Sequence, residues 1–226
     1  MTRPRIIALL ATYNEERFIE GCLSHLTQQG IEVYLIDNES TDRTIDIAQR
    51  FVGAGLIDVE TFPRGGVYPW VALLERKAEV AATLEADWFL HVDADEIRLP
   101  PKPGVTFAEA LSGVAEAGYN ALNFQEFTFV PTRESPNHDH EHFLKTMRWY
   151  YPFLPKPLNQ VNAWRRQPAP VDLASNAGHR VEFTGLRIYP ESFPMRHYLF
   201  LSVEHAISKY VLRQYDEREV AMGWHG

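Results

Sequence analysis

The apolar run Trp88-Phe89-Leu90-His91-Val92 passes directly into Asp93-Ala94-Asp95, and Glu96 follows. Residues two apart in an extended chain share a face, so Asp93 and Asp95 can project together into the space beyond the strand end. Paired hard oxygen donors suit Mg²⁺ or Mn²⁺, and a cation held there could face a diphosphate. An isolated Asp-x-Asp is more often an ordinary wet turn. What accompanies it decides its meaning.

Two other strand ends accompany it. The first apolar run, residues 6–10, leads into Ala11-Thr12-Tyr13-Asn14-Glu15, where a dinucleotide fold would carry its glycine fingerprint. Neither G-x-G-x-x-G nor G-x-x-x-x-G-K-[ST] is present, so any bound phosphates must be neutralised by other means. A second run, residues 33–36, ends on Asp37-Asn38, about where an acidic residue reads ribose hydroxyls in nucleotide folds. Both side chains could also pair with a base edge; the competing role is a turn followed by a helix cap.

The elements that must position these residues alternate. Strands are expected at 6–10, 33–36, 57–62 and 88–92, and helices at 16–29, at 70–84, and from a cap at Ser40 or Thr41 to Phe51. That alternation implies an α/β fold with a mostly parallel sheet flanked by helices. In such a sheet the ligand crevice lies at the carboxyl edge of the strands, where all three polar segments fall. Beyond Pro100-Pro101-Lys102-Pro103-Gly104 the pattern predicts a helix at 106–116 and a long strand at 121–130. A loop-rich stretch to about residue 170, a hairpin at 180–189 turning near Thr184-Gly185, and a final amphipathic helix at 202–222 follow. The expectation is a single domain over 1–226, with a site-building half at 1–100 and a loop-rich, site-completing half at 101–226.

Ala-Thr-Tyr-Asn-Glu at 11–15, Ile-Asp-Asn-Glu-Ser-Thr-Asp at 36–42 and Ala-Asp-Trp-Phe-Leu-His-Val-Asp-Ala-Asp-Glu at 86–96 resemble, in order and spacing, the nucleotide-sugar domain of family 2 glycosyltransferases, which adopt the GT-A fold. The resemblance is specific over roughly residues 5–100 and looser beyond Val130. It implies that Thr12, Tyr13 and Glu15 contact the nucleoside, that Asp37, with Asn38 beside it, binds base or ribose, and that Asp93 and Asp95 hold the metal and diphosphate. It also implies a basic residue on the preceding helix, Arg76 or Lys77, and a late metal ligand, for which His197 stands. Sugar transfer with inversion from a nucleoside diphosphate sugar to a saccharide, lipid-linked or protein acceptor is the expected activity, that of a hexosyltransferase-like enzyme using Mn²⁺ or Mg²⁺.

The second half offers further candidates. Lys209 and Arg213 lie four apart and would share a helix face over the leaving diphosphate. The carboxylate that deprotonates the acceptor is sought among Asp172, Glu182 and Glu126, with Asp172 favoured for its strand-to-loop setting and His179 as a possible acceptor contact. The run His138-Asp139-His140-Glu141-His142 reads as a solvated loop or acceptor lid in preference to a closed metal site. Trp149-Tyr150-Tyr151 and Trp164-Arg165-Arg166 could stack on sugar faces or pack in the core.

Bulk properties set the frame. The chain has 226 residues, 45% hydrophobic and 23% charged, with a formal charge of −8. No long Lys/Arg run accompanies that charge, which argues against nucleic acid or an anionic membrane as main partner. A single cysteine, Cys22, excludes an intrachain disulfide. No apolar stretch approaches a membrane span and the N-terminus does not read as a signal peptide, so a cytoplasmic location is expected. Two rival functions fit the same strand ends: a sugar-phosphate nucleotidyltransferase, which would carry a Gly-rich basic loop after the first strand, and a binding module without catalysis.

Overall fold

In a computed structural model describing residues 3–156 and 158–223, the chain forms strands β1 (Ile6–Thr12), β2 (Glu32–Asp37), β3 (Leu56–Thr61), β4 (Trp88–Val92), β5 (Glu96–Arg98), β6 (Ala121–Phe129), β7 (Tyr150–Phe153), β8 (Val161–Arg165) and β9 (Phe193–Tyr198). Helices are α1 (Ile19–Gln28), α2 (Thr44–Gln49), α3 (Trp70–Thr83), α4 (Phe107–Glu116), α5 (Phe143–Thr146), α6 (Val203–Ala206) and α7 (Glu217–Ala221), with a π-helical turn at Ile207–Val211. The strands make one sheet in the order β3-β2-β1-β4-β8-β6-β9-β5, with β7 beside β6.

The first half of that order is parallel throughout: β2 joins β1, β1 joins β4 and β3 joins β2. Strand β4 is covered on both faces, all five of its residues being buried. This is why Trp88 to Val92 reads as a continuous apolar run. Leu23, Leu26 and Phe107 pack on one side of the sheet, and Leu74, Ala78 and Val80 on the other. Past β4 the sheet becomes mixed: β8 runs antiparallel to β4 and β6, β7 is antiparallel to β6, β5 is antiparallel to β9, and β6 and β9 are parallel.

Several local expectations are corrected. Helix α2 begins at Thr44 and not at a Ser40 or Thr41 cap, because Ser40 is bonded to Asp37 and the Asp42 carboxylate accepts from the Thr44 amide at 2.9 Å. Residues 180–189 form no hairpin; Arg180, Glu182 and Ile188 make single bridges to Val161, Asp172 and Ala121. The continuous helix expected at 202–222 is broken into α6, the π turn and α7. Between the last two, Tyr215 bridges Tyr68, and the Tyr68 amide donates to the Gln214 carbonyl at 2.7 Å. Helix α4 matches its expected position, closed by a capping box between Thr106 and Glu109. No described helix is long and apolar enough to cross a membrane.

Candidate active site

Strand order puts β1 between β2 and β4, so the segments after these three strands emerge side by side. Two abutting cavities open there, of about 570 and 440 Å³, and they share Tyr13, Lys209 and Arg213 in their walls. The larger is lined by Thr12, Glu15, Asp93, Asp95, His179 and His197 among others. The smaller takes Asn14, Arg17, Asp42, Arg64 and His205.

The first two polar segments are tied to each other. Asn14 and Glu39 both adopt left-handed backbone, with φ of 56° and 58°. The Asn14 amide donates to Ser40 Oγ at 3.0 Å, and its side-chain oxygen accepts from the amides of Thr41 at 2.7 Å and Asp42 at 3.3 Å. Asp37 lies behind this wall: it is buried and accepts from Thr12 Oγ1, Ser40 N and Ser40 Oγ. Asn38 is fully buried, donating to the Phe62 carbonyl and accepting from Arg64 at 3.2 Å. Neither lines a cavity. Their side-chain hydrogen bonds run to the neighbouring loops, and Asn38 aims Arg64, whose guanidinium sits 3.5 Å above the Tyr13 ring.

The third segment is held from below by groups whose pairing the sequence does not announce. Glu96 accepts from the Asp93 amide at 3.0 Å and is ion-paired with buried Arg98 at 2.7 Å, while Arg98 donates to the His91 carbonyl. Lys77 is fully buried, with Nζ 2.9 Å from His91 Nδ1, 3.2 Å from the Val92 carbonyl and 3.9 Å from Asp93. Burial lowers the Lys77 pKa to about 8, against the pull of Asp93 and Glu96. Burial and the Lys77 charge hold His91 well below the usual imidazole value, so it stays neutral and accepts at Nδ1. Arg76, the other basic candidate, points away, paired with Glu60 and Glu79.

From the second half come two cations. Strand β5 pairs with β9 so that Glu96 faces His197, and the Tyr198 amide donates to the Asp95 carbonyl at 2.9 Å. His197 then sits between carboxylates, Nδ1 2.7 Å from Glu126 and Nε2 3.4 Å from Asp95. The π turn delivers Lys209 to within 2.7 Å of Asp95 Oδ2 and 3.4 Å of Glu15. Burial opposes every one of these charges. Even so, Lys209 and His197 hold the Asp95 carboxyl well below its ordinary range, and Asp95 in turn holds both cations well above theirs. Glu15 is pushed up to about 7 by burial, which outweighs Lys209.

Three expected site residues have side-chain partners of their own. His197, expected as a late metal ligand, is here an ionic partner of Asp95, its two ring nitrogens facing Glu126 and Asp95. Asp172 stands exposed outside the cavities, its carboxylate held by the Ser175 amide and hydroxyl, and its backbone bridges Glu182. That places it in a local turn, away from Asp93 and Asp95 in the cavity lining. Glu126 reaches the cavity only through His197, being buried among Thr128, Gln160 and that ring. In the 138–142 run, His138 is buried and bonded to Thr146, and Asp139 pairs with Arg17 on the wall of the smaller cavity.

Among the described residues, no group of three or more His, Cys, Asp or Glu side chains is arranged to hold a metal. Mg²⁺ needs no such cage, because it keeps waters and takes diphosphate oxygens beside one or two carboxylates. Asp93 and Asp95 fit that limited role. The Asp93 side chain is 40% exposed on the cavity, and the contacts of Asp95 with Lys209 and His197 all fall on Oδ2.

The family model described as Glycosyl transferase family 2 matches residues 8–102. Uncharacterized glycosyltransferases of Rickettsia bellii and Rickettsia typhi are 33% and 34% identical over 92 residues, which is 41% of this chain and 28% of each relative. The matched segment thus spans little more than a quarter of the length of those relatives. Among solved structures, S. aureus TarS 1-349 superposes with a TM-score of 0.53 at 14% identity, over 86% of this chain and 60% of that one. The same protein in complex with UDP gives 0.56 at 16% identity, over 87% and 61%. At such identities the likeness is one of fold.

Proposed function

We propose that the chain, whose residues 8–102 match the glycosyl transferase family 2 model, moves a sugar, a hexose by class, from a nucleoside diphosphate sugar to an acceptor hydroxyl with inversion. One observation carries this reading. The ends of β1 and β4 meet in a single cavity, where the Asp-x-Asp carboxylates lie beneath cations supplied from the other end of the chain.

The roles follow from position. Tyr13 and Arg64 make the wall against which a nucleobase can stack, and the loop interlocked through Asn14 keeps that wall in place. Asp93 and Asp95 would hold a Mn²⁺ or Mg²⁺ ion, which neutralises diphosphate charge when bound. Arg213 lines both cavities beside Lys209 and lies 4.6 Å over the Tyr68 ring, poised to meet phosphate oxygens. As the bond from the anomeric carbon to the diphosphate breaks, the leaving group gains negative charge, and fixed cations at that end favour the transition state over the ground state. Glu126 acts as a positioning residue by orienting His197. The acceptor is a saccharide, a lipid-linked sugar or a protein.

The test is release of nucleoside diphosphate across a panel of UDP-, GDP-, ADP- and dTDP-sugars, with Mn²⁺ and then with EDTA. Metal-dependent release from at least one donor is the expected result. Pyrophosphate formed from a nucleoside triphosphate and a sugar phosphate would replace this reading with nucleotidyl transfer. Metal-dependent donor binding without turnover would leave a binding module.

A further inference from the structure

Strand β7 pairs with β6 alone among the described strands. Their register sets Thr128 opposite Tyr151 and Glu126 opposite Phe153, while Phe127 and Phe129 oppose Pro152 and Tyr150. Ring contacts identify the second face: Tyr150 lies 5.5 Å from Phe127 and 5.1 Å from Phe129. On the first face Thr128 is in register with His197, and Glu126 bonds that histidine. Tyr151 and Phe153 therefore stand on the side of the sheet that carries the contact between His197 and Asp95. Alternation puts Trp149 with them, its carbonyl accepting from the Val130 amide at 3.1 Å.

Phe153 lines the larger cavity. Tyr151 is 44% exposed and Trp149 is 69% exposed. Three aromatic residues at two-residue intervals thus run outward from the cavity, over about 13 Å at the rise of an extended chain. A hydrophobic core has no use for rings left this open, and a row of them ending at a reactive cavity suits something that must be led in. Pro152 removes a backbone donor from β7, which makes the strand a poor template for pairing with a second copy. A pyranose is matched to such a row: its C–H edges lie on the electron-rich ring faces while its hydroxyls stay turned to water.

We infer that Trp149, Tyr151 and Phe153 form a track for a saccharide acceptor, laying successive sugar rings along β7 so that the terminal hydroxyl enters the cavity beside Asp95. The assignment rests on the sugar-transfer reading above. It adds the acceptor class and the residues that select it.

The experiment compares the unmodified chain with Trp149→Ala/Tyr151→Ala and with Trp149→Phe/Tyr151→Phe. Binding is read on an array of defined oligosaccharides of graded length, and hydrolysis of nucleotide sugars to water is read separately. The unmodified chain should bind at least one oligosaccharide series, more tightly as length grows. The alanine pair should lose about tenfold or more in that affinity, the phenylalanine pair should retain most of it, and donor hydrolysis should be the same in all three. Absence of oligosaccharide binding, or equal binding by the alanine pair, overturns the track. So does a concentration-dependent dimer, or binding to phosphatidylglycerol vesicles, that the alanine pair abolishes while glycan binding persists. Donor hydrolysis together with oligosaccharide binding that the alanine pair leaves unchanged overturns the track alone. A chain that hydrolyses no donor overturns the transfer reading, and with it the assignment of these rings to an acceptor.

Discussion

Residues 6–98 bring Glu15, Asp93 and Asp95 to the cavity at or just past the ends of buried parallel strands, whereas residues 193–213 bring His197 on the mixed side of the sheet and Lys209 on a single π turn. The first half fixes its carboxylates through the sheet itself: β4 is buried on both faces, and Glu96, Arg98 and Lys77 brace the turn that follows. In the second half His197 leans on β9, but the segment that follows has little regular structure near the site, and Lys209 is held there by the charges it meets. Lys209 is anchored by the carboxylates it neutralises. The comparison separates a scaffold that would keep its shape without the site from a segment whose placement depends on it.

Four substitutions test that contrast, beginning with the one that should matter most. Asp95→Asn removes the carboxylate on which both halves meet. Nucleoside diphosphate release should fall by about 10³-fold, and limited proteolysis should cut faster within residues 203–222; a loss of activity with unchanged proteolysis would show that the late segment has another anchor. Lys209→Met removes one cation and leaves Asp95 buried beside His197. A fall of roughly 10²-fold in kcat/KM for the donor is expected, and full retention would reduce the second half to a cover.

The third substitution addresses the scaffold. Gly178 holds φ at 80°, and a Cβ there would lie 2.9 Å from His91 Nε2 and 3.0 Å from Trp70, so Gly178→Ala should cost about 2 kcal/mol of stability in urea unfolding. Recovery of wild-type stability would mean that the packing around His91 and Lys77 yields more readily than the first half is supposed to. The smallest effect concerns His205, which accepts from the Leu201 amide at Nδ1 and whose pKa burial lowers from 6.5 to about 4. Below pH 6.5 the unfolded chain binds a proton that the folded chain refuses, so this contribution is complete above 6.5 and is lost as pH falls towards 4. His205→Asn keeps an acceptor and removes the titration, so the decline in stability between pH 6.5 and 4 should become shallower. An unchanged slope would show that His205 is not the group responsible.

Much of the first half could be read from residue order, for a physical reason. Strands covered on both faces must be apolar, so polar residues appear where they end, and parallel topology carries those ends to one edge. The Asp-x-Asp pair, Tyr13 and Glu15 were legible on that ground. Asp37 and Asn38 were legible as strand-end residues, but whether they face ligand or loop depends on Ser40, Thr12 and Arg64 closing over them, which spacing does not encode. Lys77 was visible only as one of two adjacent bases, because the helical turn that buries it beside Asp93 also sends Arg76 to Glu60. In the second half Lys209 and Arg213 do share the cavity side, as their spacing suggests. The regular helix proposed for them gives way because residues 214–215 pair with Tyr68. His197 meets Asp95 through β5, a three-residue strand too short to leave a periodic signal. Asp172 fits a site by its setting along the chain, yet Ser175 claims its carboxylate at close range.

The left-handed residues Asn14 and Glu39, with the hydrogen bonds that lock their loops together, bear on what a nucleoside would encounter. Neither loop can shift alone without breaking bonds to the other. Their conformational entropy is surrendered when the chain folds, and little would be left to lose if, as proposed, a base settled against Tyr13. On the proposed donor-binding reading such a wall would work as a fixed gauge, rejecting a base of the wrong outline because it cannot reshape itself around one.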